Sequence, residues 1–168
     1  MKKILVSFFG LVIAGAFSFA LADEIDLDAL VKNQWECEAT FMDKASGMTI
    51  RTKSLDSYAR DSVYSSRGTA NSTGTLEIKI NGFNELIIYA FSGSSSWEIK
   101  GEYMIFTDNL FKTESVSNPQ SNEFFNSEDL YPKDMVVLSK ILKINDKEFV
   151  VQEGLTGAIE KCVAVGKK

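Results

Sequence analysis

From Gln34 onward, apolar and polar residues alternate with a period of two, the signature of half-buried β-strands. Trp35, Cys37, Ala39 and Phe41 face one way, and Glu36, Glu38 and Thr40 face the other. After a turn at 43–47, Met48, Ile50 and Thr52 alternate with Thr49, Arg51 and Lys53. The stretch 61–70 reads as a third, more polar strand, and Leu76, Ile78 and Ile80 define a fourth. Leu86 to Phe91 is a nearly continuous apolar run, which Ser92 to Ser96 interrupts before Trp97 and Ile99 resume the pattern. The C-terminal part supplies strands at 135–144, 148–152 and 158–165. In the last of these, Cys162 shares a face with Glu160 and Ala164, opposite Val163 and Val165, and the pattern leaves open which face is inside. Ahead of the strands, Ile25, Leu27, Leu30 and Val31 suit one or two helical turns. About ten short strands with almost no helix predict an all-β antiparallel meander, closed as a barrel or packed as a two-sheet sandwich.

Turn chemistry sets the expected registers. Asn81-Gly82 predicts a type I′ turn, which needs positive φ at both central residues. Around Lys100-Gly101-Glu102, a three-residue turn sets Ile99 against Tyr103 and Trp97 against Ile105 on one apolar face. A two-residue turn at Asn145-Asp146 pairs Leu142 with Phe149 and Lys143 with Glu148. Residues 109–133 break the rhythm with Ser, Asn, Glu, Pro119 and Pro132, and read as a long loop or lid. Its aromatic residues, Phe111, Phe124, Phe125 and Tyr131, either cap an open barrel mouth or pack as a short helix on the wall.

Residues 1–22 read as a signal peptide: Lys2 and Lys3, an apolar stretch from Ile4 to Ala20, then Ala20-Leu21-Ala22 as the cleavage pattern. The stretch is at the short limit for a membrane span, and acidic residues follow it where a stop-transfer signal would carry lysines. Cleavage leaves 23–168 as a single domain with 16 basic and 23 acidic residues, a charge of −7. The expected location is the periplasm or the exterior of a bacterial cell. There Cys37 and Cys162, at opposite ends of the mature chain, either pair or remain two separate buried thiols. A disulfide would contribute roughly 4 to 5 kcal/mol by loop-closure entropy. It would also require the first and last strands to be neighbours, which favours the barrel over the sandwich.

The chain contains no histidine, which removes the Ser-His-Asp triad, the His general base and imidazole metal ligands. The acidic balance argues against nucleic acid as a partner. No Ser-x-x-Lys context, EF-hand spacing or other catalytic or metal signature is present, so no enzyme, cofactor or metal is expected. The three arginines, Arg51, Arg60 and Arg67, fall within 17 residues and bracket Tyr58 and Tyr64. Inside a barrel they would hold the polar head of an otherwise apolar ligand; outside, they form a basic stripe on an acidic protein. With Trp97, Phe124 and Phe125 they make up the candidate ligand site.

The layout resembles the lipocalin-like (calycin) barrels: a helical turn, Trp35 opening the first strand, successive hairpins and a disulfide between end strands. The family's Gly-x-Trp motif reads Asn33-Gln34-Trp35 here, and its Thr-Asp-Tyr motif is echoed by Thr107-Asp108-Asn109. The resemblance implies a barrel of about eight to ten strands that binds a small apolar or amphipathic molecule in its interior. A weaker resemblance is to the periplasmic inhibitors of C-type lysozyme, through Ser92-Gly93-Ser94 and Lys100-Gly101. It implies that a loop carrying Ser92 and Lys100 enters a hydrolase's active cleft, making a protein the partner. The two expectations are therefore an exported, non-enzymatic ligand-binding barrel and, alternatively, an exported lysozyme inhibitor.

Overall fold

The computed structural model describes residues 25–43, 47–82, 84–117 and 135–166. Helix α1 (Leu27–Lys32) precedes strands β1 (Gln34–Asp43), β2 (Met48–Arg60), β3 (Arg67–Ile80), β4 (Leu86–Lys100), β5 (Tyr103–Ser115), β6 (Val137–Ile144), β7 (Glu148–Glu153) and β8 (Ile159–Val165). Each strand pairs antiparallel with the next, and β1 pairs with β8, so the sheet closes into a barrel rather than splitting into a sandwich. Cys37 and Cys162 face each other across the closing pair and are joined by a disulfide, with Cα atoms 4.0 Å apart.

Eight strands stand where the alternation suggested ten. The expected third and fourth strands are one strand, β3, and 61–66 is the connection leading into it. Gly74 lets β3 press against β2 without a break, since a Cβ there would fall 2.0 Å from the Lys53 carbonyl oxygen. The serines of β4 do not interrupt it either, because β3 on one side and β5 on the other occupy their backbone groups. Strand β5 continues through Ser115, so the expected loop does not begin at Asn109. Residues 118–134, including Phe124 and Phe125, lie outside the described residues, as do residues 1–24 with the expected signal peptide.

All three turn expectations are corrected. Asn81 lacks positive φ, and in the connection between β3 and β4 it is Gly82 that takes φ +89°. The Asn81 amide donates instead to the carbonyl of Gly47 in the neighbouring β1–β2 connection. At the β4–β5 turn, Lys100 pairs with Tyr103, Ile99 with Met104 and Trp97 with Phe106. Gly101 supplies the single positive φ, which is the requirement of a tighter, two-residue type II′ turn. At β6–β7, Ile144 pairs with Phe149, and a bulge leaves Leu142 unpaired and exposed. The Asn145 side-chain oxygen accepts from the amides of Lys147 and Glu148, which stabilises a longer turn. Lys143 and Glu148 still form an ion pair, diagonally rather than directly across the ladder.

One end of the barrel is plugged. Asp26 caps α1 by accepting from the Ala29 amide at 2.9 Å, and Arg60 reaches Asp28 at 2.9 Å from the end of β2. The helix thereby seats Leu30, fully buried, on Trp35, whose indole N–H donates to the Leu30 carbonyl at 2.9 Å. Around them pack Tyr58, Trp97, Met104, Phe149, Val151 and the disulfide. Tyr58 meets the rings of Trp97 and Phe149 nearly edge-on, with centroids 6.4 and 6.0 Å apart. A second, smaller cluster, Leu76, Ile78 and Tyr89 with Met48, Ile50, Ile87 and Phe91 around it, occupies the other half of β2–β4.

Candidate functional site

Between the two clusters lies a cavity of about 190 Å³. Strand alternation decides its walls. On β2 the inward residues are Thr52, Ser54, Asp56 and Tyr58; on β3 they include Ala70, Ser72 and Leu76. Strand β4 contributes Phe91 and Gly93, β6 contributes Val137 and β8 contributes Glu160. On β5 the inward set changes phase. Met104 and Phe106 face in, then a bulge places Asp108 and Asn109 opposite the single residue Ser95. Asp108 takes φ +52° to make the extra step, a conformation that Asp tolerates better than most residues. Beyond it the odd-numbered Asn109, Phe111 and Thr113 face the cavity. Asn109 is buried and donates to the Met135 carbonyl at 2.7 Å, tying the start of β6 to this wall.

The walls are unequal in chemistry. Phe91, Phe106, Phe111 and Leu76 make up an apolar side, with the Phe91 and Phe111 rings 6.3 Å apart. Opposite stand two carboxylates. Asp56 is buried and accepts from the Ser72 hydroxyl at 2.5 Å, with Ser54 as a further hydrogen-bond partner. Burial raises its pKa above the ordinary carboxylate value, and the two serines offset part of that rise. Glu160 is half-buried as a residue, but its carboxyl points inward, where burial first and the Asp56 charge second raise its pKa to about 7. The same two carboxylates, after burial itself, push the Tyr58 phenol well above its usual value. No lysine or arginine is among the described residues lining the cavity.

Cys37 Sγ and the Asp56 and Glu160 carboxylate oxygens lie within 4.8 Å of one another. The sulfur is committed to the disulfide and offers no thiolate. Two carboxylates remain, which is short of the six to eight oxygens calcium takes and lacks the nitrogen or thiolate ligands of zinc.

Of the described residues singled out from sequence as ligand contacts, Tyr58 lines the cavity. Trp97 sits in the plugged end, its indole N–H donating to the Thr69 carbonyl at 3.0 Å. Arg51 points outward in an ion pair with Glu38, and its guanidinium holds that carboxyl below the usual range. Arg67 is exposed beside Asp61 at 3.4 Å, and Tyr64 is fully exposed in the β2–β3 connection. Arg60 faces inward but at the plugged end, held by Asp28 and the Val63 carbonyl. Ser92 is exposed in the middle of β4, and Lys100 ends the same strand in an ion pair with Glu98 at 2.8 Å.

The cavity residues that sequence reasoning gave no role in the interior are Asp56, Glu160, Ser72 and Asn109, and Phe111 figured there as an aromatic of the expected loop. Asp56 shares the parity of Met48, Ile50 and Thr52, and Glu160 shares that of Cys162. Extending either pattern by one or two steps would have turned these carboxylates inward. No protein-family model and no curated protein matches this chain.

Proposed function

We propose that the protein is an exported, non-enzymatic binding barrel that holds one small amphipathic molecule in the cavity between its two packed clusters. The observation that carries this reading is the cavity itself. Protein interiors are normally packed to crystal-like density, and a void of this size, walled by rings with a few polar groups, has the composition of a ligand site. The disulfide suits an oxidising compartment, and no described helix is long and apolar enough to cross a membrane.

The inhibitor reading has less support. It calls for Ser92 and Lys100 on one projecting loop, whereas both lie on β4, separated by about 26 Å of strand rise.

Native mass spectrometry of protein purified from its own host tests the binding reading, together with thermal shift in the presence of 2-phenylethanol. The expected result is a co-purifying small molecule or a dose-dependent rise in Tm. A bare protein mass combined with no shift at millimolar 2-phenylethanol would refute it.

A further inference from the structure

We infer that the cavity selects a small cationic amphiphile, a primary amine on an aromatic or aliphatic body, with its ammonium between Asp56 and Glu160. This rests on the cavity-binding reading and specifies the chemistry of the ligand.

The inference starts from an imbalance of charge. Asp56 on β2 and Glu160 on β8 flank β1 from its two sides, and barrel closure brings their carboxyls together over the disulfide. Asp56 is held by Ser72 and Ser54. Glu160 has no hydrogen bond or ion pair among the described residues, although the residue is half-buried and lines the cavity within 4.8 Å of the Asp56 carboxylate. Burying an acidic group without a partner is costly, and a second carboxylate beside it adds to the cost. The missing partner is therefore positive. An ammonium has three donors and no acceptor, which suits two carboxylates and a neighbouring hydroxyl.

Size and the opposite wall define the rest of the ligand. An apolar cavity of roughly 150 Å³ holds one benzene ring, so about 190 Å³ admits a ring with a short arm. Phe91, Phe106 and Phe111 provide the surface for that ring, across from the carboxylates. A ligand with a carboxylate or phosphate head would meet only like charge here, because the arginines that would receive it lie elsewhere.

Proton linkage gives the inference a second signature. The groups facing Glu160 are Asp56 and Tyr58 from β2; Cys37 from β1 is disulfide-bonded, and Val151, its partner on β7, is apolar. Below neutral pH Glu160 holds a proton that an incoming ammonium must displace. Amine affinity should therefore fall as pH falls, whereas affinity for a neutral ligand of the same shape should not.

Isothermal titration calorimetry with phenethylamine, 2-phenylethanol and phenylacetate, at pH 8 and pH 5.5, tests this on the oxidised protein. At pH 8 phenethylamine should bind roughly tenfold or more tightly than 2-phenylethanol, the worth of one charge-assisted hydrogen bond. At pH 5.5 its affinity should drop by roughly tenfold or more, with proton release seen as a buffer-dependent heat. Glu160→Gln should bring the two affinities level. If 2-phenylethanol binds as tightly as the amine at pH 8, or phenylacetate binds best, the amine inference fails while the cavity reading stands. If none of the three binds, the amine inference fails, and the cavity reading fails with it when the protein from its own host also shows a bare mass.

Discussion

Replacing Glu160 by glutamine removes one half-buried, cavity-lining ionisable group and keeps its shape. In the unfolded chain its carboxyl titrates near 4.5; in the barrel it titrates at about 7, because burial and then the Asp56 charge disfavour the ionised form. Between those values the native state binds a proton that the unfolded state has released. Stability is therefore greatest below about pH 4.5 as far as this group is concerned, and it is lost as pH rises through 7. The gap corresponds to about 3 kcal/mol, an upper figure because water entering the cavity screens the charge. Glu160→Gln should accordingly raise stability at pH 8 by up to about 3 kcal/mol, or roughly 10 °C in Tm, and change it little at pH 4.5. Asp56 shifts in the same direction and reinforces the trend in the parent protein. Glu38 and Glu148 shift the other way, through Arg51 and Lys143, so their contribution is lost only as pH falls below the ordinary carboxylate range. The windows are thus separable. Urea unfolding of both proteins from pH 4.5 to 8 is the assay. A parent protein whose stability is level across pH 5 to 8, with an unchanged midpoint in the variant, would refute the inward placement of this carboxyl.

Three further outcomes are expected. Reducing the disulfide, or replacing Cys37 and Cys162 together by serine, should cost about 2 to 5 kcal/mol in urea unfolding, since the bridge closes a loop of 125 residues; an unchanged midpoint would count against it. Leu30→Ala should cost about 2 to 5 kcal/mol and red-shift tryptophan emission as α1 loosens over Trp35; an unchanged spectrum would deny the plug. At Gly93 a Cβ would come within 2.6 Å of the Phe111 ring, so Gly93→Ala should swing that ring toward the cavity and weaken 2-phenylethanol binding roughly fivefold or more by calorimetry; equal affinity would place the ligand elsewhere.

The barrel was legible because period two is a local signal, and because two cysteines at opposite ends of the chain carry long-range information. Trp35, Cys37, Ala39 and Phe41 face inward as their alternation requires, and Cys37 meets Cys162. What local pattern could not supply was phase across bulges. Asp108 shifts β5 by one residue, which turns Asn109 and Phe111 inward and makes strand out of what composition marked as loop. Leu142 does the same on β6. The site was misjudged for a different reason. Arginine and tyrosine drew attention as head-group ligands, while the face carrying Glu160 was left open and Asp56 was assigned no role. Only closure of the sheet, which puts β2 and β8 on either side of β1, reveals that Asp56 and Glu160 meet. The parity of Glu160 with a cysteine that must be internal was the one clue available in advance.

The seam between β1 and β8 has a consequence for assembly. Neighbouring strands can zip together as soon as each hairpin exists, but β1 has no second neighbour until the last strand arrives. Until then the nascent sheet is an open ribbon with two bare margins, the condition in which β-proteins recruit foreign strands. A polypeptide cut short before Ile159 would remain in that condition, lacking Glu160 and Cys162, with Cys37 still a thiol and Asp56 opening onto solvent. Chain completion, oxidation and creation of the internal chamber are thus a single event, and the protein has no functional half.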